Sequence, residues 1–255
     1  MAGRARAGVT GLSAAAKLAR VDETSRGNLP APPDPLHRSA SRTSAARWAT
    51  FDCYGTLIDW NAGIRGELAR VFGEERADEL LEHYHRLEPE LEADGARSYR
   101  EVLTEGMRRL GAPAGEEEAL AQSLPEWQPF PEAPDALHRA RAGGWKLAIL
   151  SNTDREFIEA STSRLGVSFE VAIVASEIGS YKPALGHWRA FERETGRRPD
   201  VHVAASLFHD VGPANELGLP SVWINRLGEG PGPGPTRELP DLTRLPETLE
   251  ELVPS

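Results

Sequence analysis

The chain has 255 residues, with 29 Lys and Arg against 39 Asp and Glu, a formal net charge of −10 and 40% hydrophobic residues. That length holds one large domain or a core with a smaller companion, and the acidic balance excludes a general binder of nucleic acid or anionic membrane, which needs surplus Lys and Arg. No apolar run of about eighteen residues occurs, so a soluble protein without a membrane helix is expected, and the single cysteine, Cys53, permits no internal disulfide and suits a reducing cytoplasm.

Residues 1–46 scatter Arg4, Arg6, Arg20, Arg26, Arg38 and Arg42 among Ala, Ser, Gly and Pro, without a sustained apolar period. A disordered extension is expected there. An organelle-targeting leader is the alternative, against which Asp22, Glu23 and the run Pro30 to Pro35 count. A start codon assigned too far upstream explains the segment equally well.

The run Trp48 to Phe51 predicts a buried strand that ends in Asp52 and turns through Gly55, whose backbone freedom suits a tight turn. A carboxylate at the carboxyl end of a parallel strand lies in the crevice where open α/β sheets bind ligands. An isolated Asp-x-x-Gly, however, is more often a simple turn. Cys53 faces away from Asp52 in the strand period, and the neighbouring carboxylate would raise its thiol pKa, so Cys53 reads as a packing residue.

From Gly63 to about Gln122 the apolar spacing turns helical: Leu68, Val71 and Phe72; Leu80, Leu81, Tyr84 and Leu87; Tyr99, Val102, Leu103, Met107 and Leu110. At least three amphipathic helices follow, and a helical insertion of that length would cap the crevice. His83 and His85 stand two apart, which on a helix does not place them face to face for a metal.

Beyond Pro129 the pattern alternates. A helix over 133–142 leads through Gly143 and Gly144 to a strand over 145–150 that ends in Ser151 and Asn152. Then come a helix over 155–165, a strand over 169–175, a helix over 185–195, a strand over 201–206, a helix over 213–217 and a strand over 221–225. Such alternation predicts an α/β fold: a doubly wound parallel sheet with helices on both faces and right-handed crossovers. The Gly- and Pro-rich stretch 228–235 lacks the N–H groups of a phosphate loop and reads as a connector before a C-terminal tail.

Four strand ends thus offer polar groups to one sheet edge: Asp52 with Thr56, Ser151 with Asn152, Lys182 in Ser180-Tyr181-Lys182-Pro183, and Asp210 in Phe208-His209-Asp210. Singly, a Ser-Asn is usually a turn, a Lys a solvated face and an Asp a helix cap. Together, in this order, with Phe-Asp-x-Tyr-Gly-Thr-Leu-x-Asp at the first, the chain resembles the haloacid dehalogenase superfamily, in the form of its 2-haloacid dehalogenase branch. The resemblance spans about Phe51 to Arg226. It divides the chain into a Rossmann-like core (47–60 and 126–255) and a helical cap (61–125).

The resemblance implies that Asp52 attacks the substrate and forms a covalent ester which water opens, with Lys182 balancing charge and Asp210 positioning or activating the water. Tyr54, Thr56, Ser151 and Asn152 would line the substrate side. A nearby ammonium keeps a nucleophilic carboxylate ionised. In phosphatases of the superfamily the position of Tyr54 is usually a second Asp that protonates an alkoxide. Tyrosine, with an ordinary pKa near 10, is a poor acid at neutral pH, whereas halide needs no proton to leave.

Two departures stand out. Counting back from Asp210, the dehalogenase pattern has Ser and Asn where this chain has Ala205 and Leu207. The cap arginine of these enzymes has candidates in Arg86, Arg97 and Arg100. The expectation is a metal-free hydrolase of small 2-haloalkanoic acids, taking a small-molecule substrate and neither nucleic acid nor membrane; a homodimer is allowed but not specified. The alternatives are a magnesium-dependent phosphatase, with Asp52, the backbone carbonyl of Tyr54 and Asp210 as ligands, and a catalytically silent binding protein.

Overall fold

The computed structural model describes residues 46–255 apart from residues 94, 96 and 231; the extension expected over 1–46 lies, Ala46 excepted, outside the described residues. Six strands form one sheet: β1 (Arg47–Phe51), β2 (Trp145–Ser151), β3 (Val171–Val174), β4 (Val201–Ala204), β5 (Ser221–Ile224) and β6 (Arg237–Leu239). Their order is β3-β2-β1-β4-β5-β6, and every neighbouring pair is parallel. The strand order reverses between β1 and β4, so the crevice outside their carboxyl ends is where such a sheet receives a ligand.

The helices, in chain order, are α1 (Trp60–Phe72), α2 (Ala77–Glu92), α3 (Tyr99–Arg109), α4 (Ala119–Ser123), α5 (Ala133–Ala142), α6 (Arg155–Leu165), α7 (Ala175–Ile178), α8 (Gly186–Thr195), α9 (Gly212–Glu216) and α10 (Leu245–Leu252). Helices α1 to α4 form the insertion between β1 and β2. Asp59 starts α1 by accepting the Ala62 N–H at 3.0 Å, and Ser98 with Glu101 closes a capping box on α3. No helix among the described residues is long and apolar enough to cross a membrane.

The period-two alternation of the strands sorts their side chains into two cores. Ala49, Phe51, Leu147, Ile149, Val201 and Val203 pack on one face with α5, α6, α10 and the insertion. Trp48, Ala148 and Leu150 pack on the other with Trp188 and Phe191 of α8 and Ala214 of α9. The insertion joins the first core through Leu68, Tyr84, Leu103 and Met107.

The C-terminal segment differs from the expected tail: it carries β6 and α10. Strand β6 is a short, largely exposed edge of Arg-Glu-Leu with no alternation to betray it. Helix α10 does show helical spacing at Leu245, Leu249 and Leu252. Arg47 of β1 anchors this segment, donating to Glu250 Oε2 and the Val253 carbonyl at 2.8 Å each.

Candidate active site

Asp52 follows β1 directly, and its N–H continues the ladder to the Val203 carbonyl at 3.0 Å, so its backbone is fixed between β1 and β4. The chain then turns, with Gly55 at φ +85°, a conformation that favours glycine. The turn brings Thr56 back: its hydroxyl donates to Asp52 Oδ2 at 2.7 Å and accepts the Ala205 N–H at 2.9 Å. Cys53 is fully buried. Burial first, then the Asp52 charge, pushes its thiol well up, as befits a packing residue.

Lys182 stands at the centre. Its ammonium donates to Asp52 Oδ1 at 2.9 Å, the Leu150 carbonyl at 2.9 Å and Asp210 Oδ1 at 2.6 Å, which uses all its protons. Burial would lower its pKa, but Asp210 and then Asp52 outweigh that and hold it above the ordinary lysine value. Asn152 clamps the same residue from the main chain, accepting the Lys182 N–H at 2.7 Å and donating to its carbonyl at 3.0 Å.

Asp210 sits in a wide turn after β4, where the Val211 N–H reaches back five residues to the Ser206 carbonyl. Its burial opposes ionisation; Lys182 and a hydrogen bond from His202 prevail and hold it well below the usual carboxylate range. Oδ1 receives both donors, Lys182 and His202 Nε2 at 2.9 Å. Oδ2 is buried without a partner.

These groups open on a cavity of about 630 Å³, which Asp52, Tyr54, Ser151, Asn152, Lys182 and Asp210 all line. The sequence-derived set is therefore assembled in one place, with Thr56 behind Asp52. Asn152 faces partly inward, since its amide is spent on Lys182 and on Glu92 Oε2 at 3.1 Å. Tyr54 turns its phenol away from Asp52 to Ser161 Oγ at 3.0 Å. Burial drives its pKa well above the ordinary tyrosine value.

The insertion contributes Trp60, His85, Glu88, Glu92 and Tyr99 to the opposite wall. Tyr99 donates to Glu88 Oε1 at 2.7 Å. Burial pushes Glu88 up to about 7 and Glu92 well above its usual value. His85 stacks on Trp60 and contacts Asn61 Oδ1 at 2.9 Å.

None of the three arginine candidates reaches this wall. Arg100 pairs with Glu156 at 2.8 Å and Arg97 donates to the Leu91 carbonyl at 3.3 Å, while Arg86 projects outward from α2 as an exposed residue. Among the described residues, the arginine on the cavity wall is Arg226, held by the Thr56 carbonyl at 3.0 Å and by Glu132 at 2.7 Å. Glu88, Glu92 and His202 escaped the sequence reading as site residues. A histidine inside the apolar strand Val-His-Val-Ala was the available signal, because a buried polar ring needs partners.

A family model for haloacid dehalogenase-like hydrolases matches residues 46–204. The chain belongs to the haloacid dehalogenase-like hydrolases. As a member of that family it is similar to (S)-2-haloacid dehalogenase 4A of Burkholderia cepacia, 27% identical over 82% of this chain and 94% of the relative. It is also similar to the (S)-2-haloacid dehalogenase of Pseudomonas sp. strain YL, 29% identical over 78% and 93%. Among solved structures, L-2-haloacid dehalogenase from Xanthobacter autotrophicus with chloropropionic acid covalently bound shares the fold at a TM-score of 0.67, 21% identity, 81% of this chain and 99% of that one. A putative hydrolase of the same superfamily from Bacillus subtilis, bound to magnesium, matches with a TM-score of 0.67 and 19% identity, over 80% and 99%.

The magnesium ligands expected for the phosphatase alternative are Asp52, the Tyr54 carbonyl and Asp210, whose Oδ2 is without a partner. The oxygens that Asp52 and Asp210 turn toward each other are both taken by the Lys182 ammonium. Asp210 Oδ1 carries the His202 bond in addition.

Proposed function

We propose that this hydrolase dehalogenates 2-haloalkanoic acids to 2-hydroxy acids through an ester on Asp52, without a metal. Asp52 attacks the halogen-bearing carbon, the carbon–halogen bond breaks, and the halide leaves as an anion. Lys182 and Thr56 hold the carboxylate in place for that attack, each on one oxygen. Water then opens the ester with Asp210 as base. The curated relatives act on 2-haloacids by name, and the helical insertion serves as the cap that closes the cavity. A cytoplasmic setting goes with this reading, Cys53 being a free, buried thiol.

The observation that carries the proposal is Tyr54. Its phenol is tied to Ser161 and its pKa is driven up, so the position that would protonate an alkoxide holds no usable acid. A halide leaving group needs none.

The substrate carboxylate meets Ser151 on the core side. Across the cavity it meets Glu88, which burial pushes up to about 7, and Glu92, which burial also pushes up. Neutral carboxyls donate hydrogen bonds where an arginine would have supplied charge.

The test is release of halide from 2-chloropropionate and of phosphate from a generic ester, each with and without magnesium. Halide release indifferent to magnesium is expected. Phosphate release alone, and only with magnesium, would replace this function with the phosphatase.

A further inference from the structure

His202 lies in β4 at 1% exposure, packed edge-on against Trp188 at 5.3 Å between ring centres. Burying an imidazole among apolar side chains is unfavourable unless both nitrogens find partners. Both do: Nε2 is 2.9 Å from Asp210 Oδ1, and Nδ1 is 2.9 Å from Thr50 Oγ1.

The proton positions follow from the partners. An ionised Asp210 only accepts, so Nε2 carries a hydrogen. Thr50 lies on the same face of the neighbouring strand, in register with His202. Its hydroxyl lies 2.9 Å from Nδ1 and donates to the Val201 carbonyl at 3.3 Å.

The consequence is an asymmetric Asp210. Lys182 and His202 hold Oδ1 from two directions, so the carboxylate cannot turn about its own axis without losing both. Oδ2 has no partner and belongs to a residue on the cavity wall.

We propose that His202, backed by Thr50, is a positioning residue for the hydrolytic half of the reaction. It fixes Asp210 so that Oδ2 meets the water that opens the Asp52 ester; the inference rests on the ester route above. In that step the water oxygen bonds to Cγ of Asp52 while one water proton passes to Asp210 Oδ2. The bond from Cγ to the substrate oxygen breaks, and the departing alkoxide takes the proton from Asp210 to become the hydroxy acid. The second water proton leaves the regenerated Asp52 carboxyl for solvent. Displacement of halide uses Asp52 oxygens held by Lys182 and Thr56, neither of which needs His202 for that contact.

The experiment is rapid-mix halide release from 2-chloropropionate by the wild type, His202→Leu, His202→Gln and Thr50→Val. For His202→Leu the expected result is a burst of about one halide per active site at near the wild-type rate, then turnover slowed on the order of 10- to 100-fold, with KM falling alongside kcat. His202→Gln, whose amide reaches the place of Nε2, recovers most of the turnover, and Thr50→Val slows the same phase less. Should His202→Leu fail to fold, the Gln and Val variants and nitrogen NMR of the wild-type ring carry the test, with Nε2 protonated and hydrogen-bonded expected. Unchanged turnover in both His202 variants, equal slowing of burst and turnover, or a ring protonated on Nδ1 alone would overturn the proposal. A wild type that releases no halide would instead overturn the functional reading on which it rests.

Discussion

The Lys182 ammonium lies 2.6 Å from Asp210 Oδ1 while also holding Asp52 at 2.9 Å, so one buried cation serves two carboxylates. Removing one partner of a buried charge pair costs about 3–5 kcal/mol, because the remaining charge stays buried without compensation. Lys182→Met is therefore expected to lower urea stability at neutral pH by about that amount and to abolish halide release. The pH dependence carries a sign. In the wild type, the depressed Asp210 contributes stability that is in place above its ordinary value of 3.8 and is lost as pH falls through the acid range. The raised Lys182 contributes stability in place below 10.5 and lost as pH rises beyond it. Without Lys182, burial dominates Asp210, so stability should fall as pH climbs from acid to neutral. A Lys182→Met protein that gains stability over that climb would contradict the arrangement.

Asp154 joins the core to the insertion. It accepts the Tyr99 N–H at 3.0 Å and the Arg100 N–H at 2.9 Å, placing a carboxylate on the amino end of α3. Such a cap and its interaction with the helix dipole contribute about 1–2 kcal/mol. Asp154→Ala should lose that much in urea denaturation, and Asp154→Asn should lose less.

Tyr54 stacks with Tyr99 and bonds Ser161, which is a packing role for the phenol. Tyr54→Phe is expected to keep halide release within a few-fold of wild type and to lose about 1 kcal/mol for the missing hydrogen bond. A loss of about a hundredfold in kcat would mean that the hydroxyl takes part in the chemistry.

Glu88, with its pKa pushed up to about 7 by burial, is protonated below that value and charged above it. Two like charges about 8 Å apart at an effective dielectric of about 20 repel by about 2 kcal/mol. KM for a 2-haloacid should therefore rise as pH climbs through about 7. In Glu88→Gln that rise should flatten. An unchanged pH dependence of KM in this variant would remove Glu88 from substrate binding.

The alternation of strand and helix made the doubly wound sheet legible, because buried parallel strands need continuous apolar runs. Asp52, Ser151 and Asn152 stand at or just beyond the ends of β1 and β2, whereas Lys182 comes after α7 and Asp210 in the wide turn after β4, so these two were legible only through the motif order. Glu88 and Glu92 were not, since a glutamate on an amphipathic helix looks alike whether it faces water or a cavity. The arginine candidates failed for a related reason: nothing in one chain says which way exposed Arg86 on α2, or half-buried Arg97 just before α3 and Arg100 on it, will face. His202 carried a signal in its apolar surroundings, but its partners Thr50 and Asp210 are set by strand register, which one chain does not spell out. The short edge β6 lacks any pattern.

The most direct measurement is a single turnover of 2-chloropropionate in water enriched in oxygen-18, followed by mass spectrometry of the peptide that contains Asp52. If Asp52 bonds to the substrate and water attacks its carbonyl carbon, the heavy oxygen enters the Asp52 side chain and the first hydroxy acid formed is unlabelled. Label in that first product, with none in the peptide, would show water displacing halide directly and would contradict the ester.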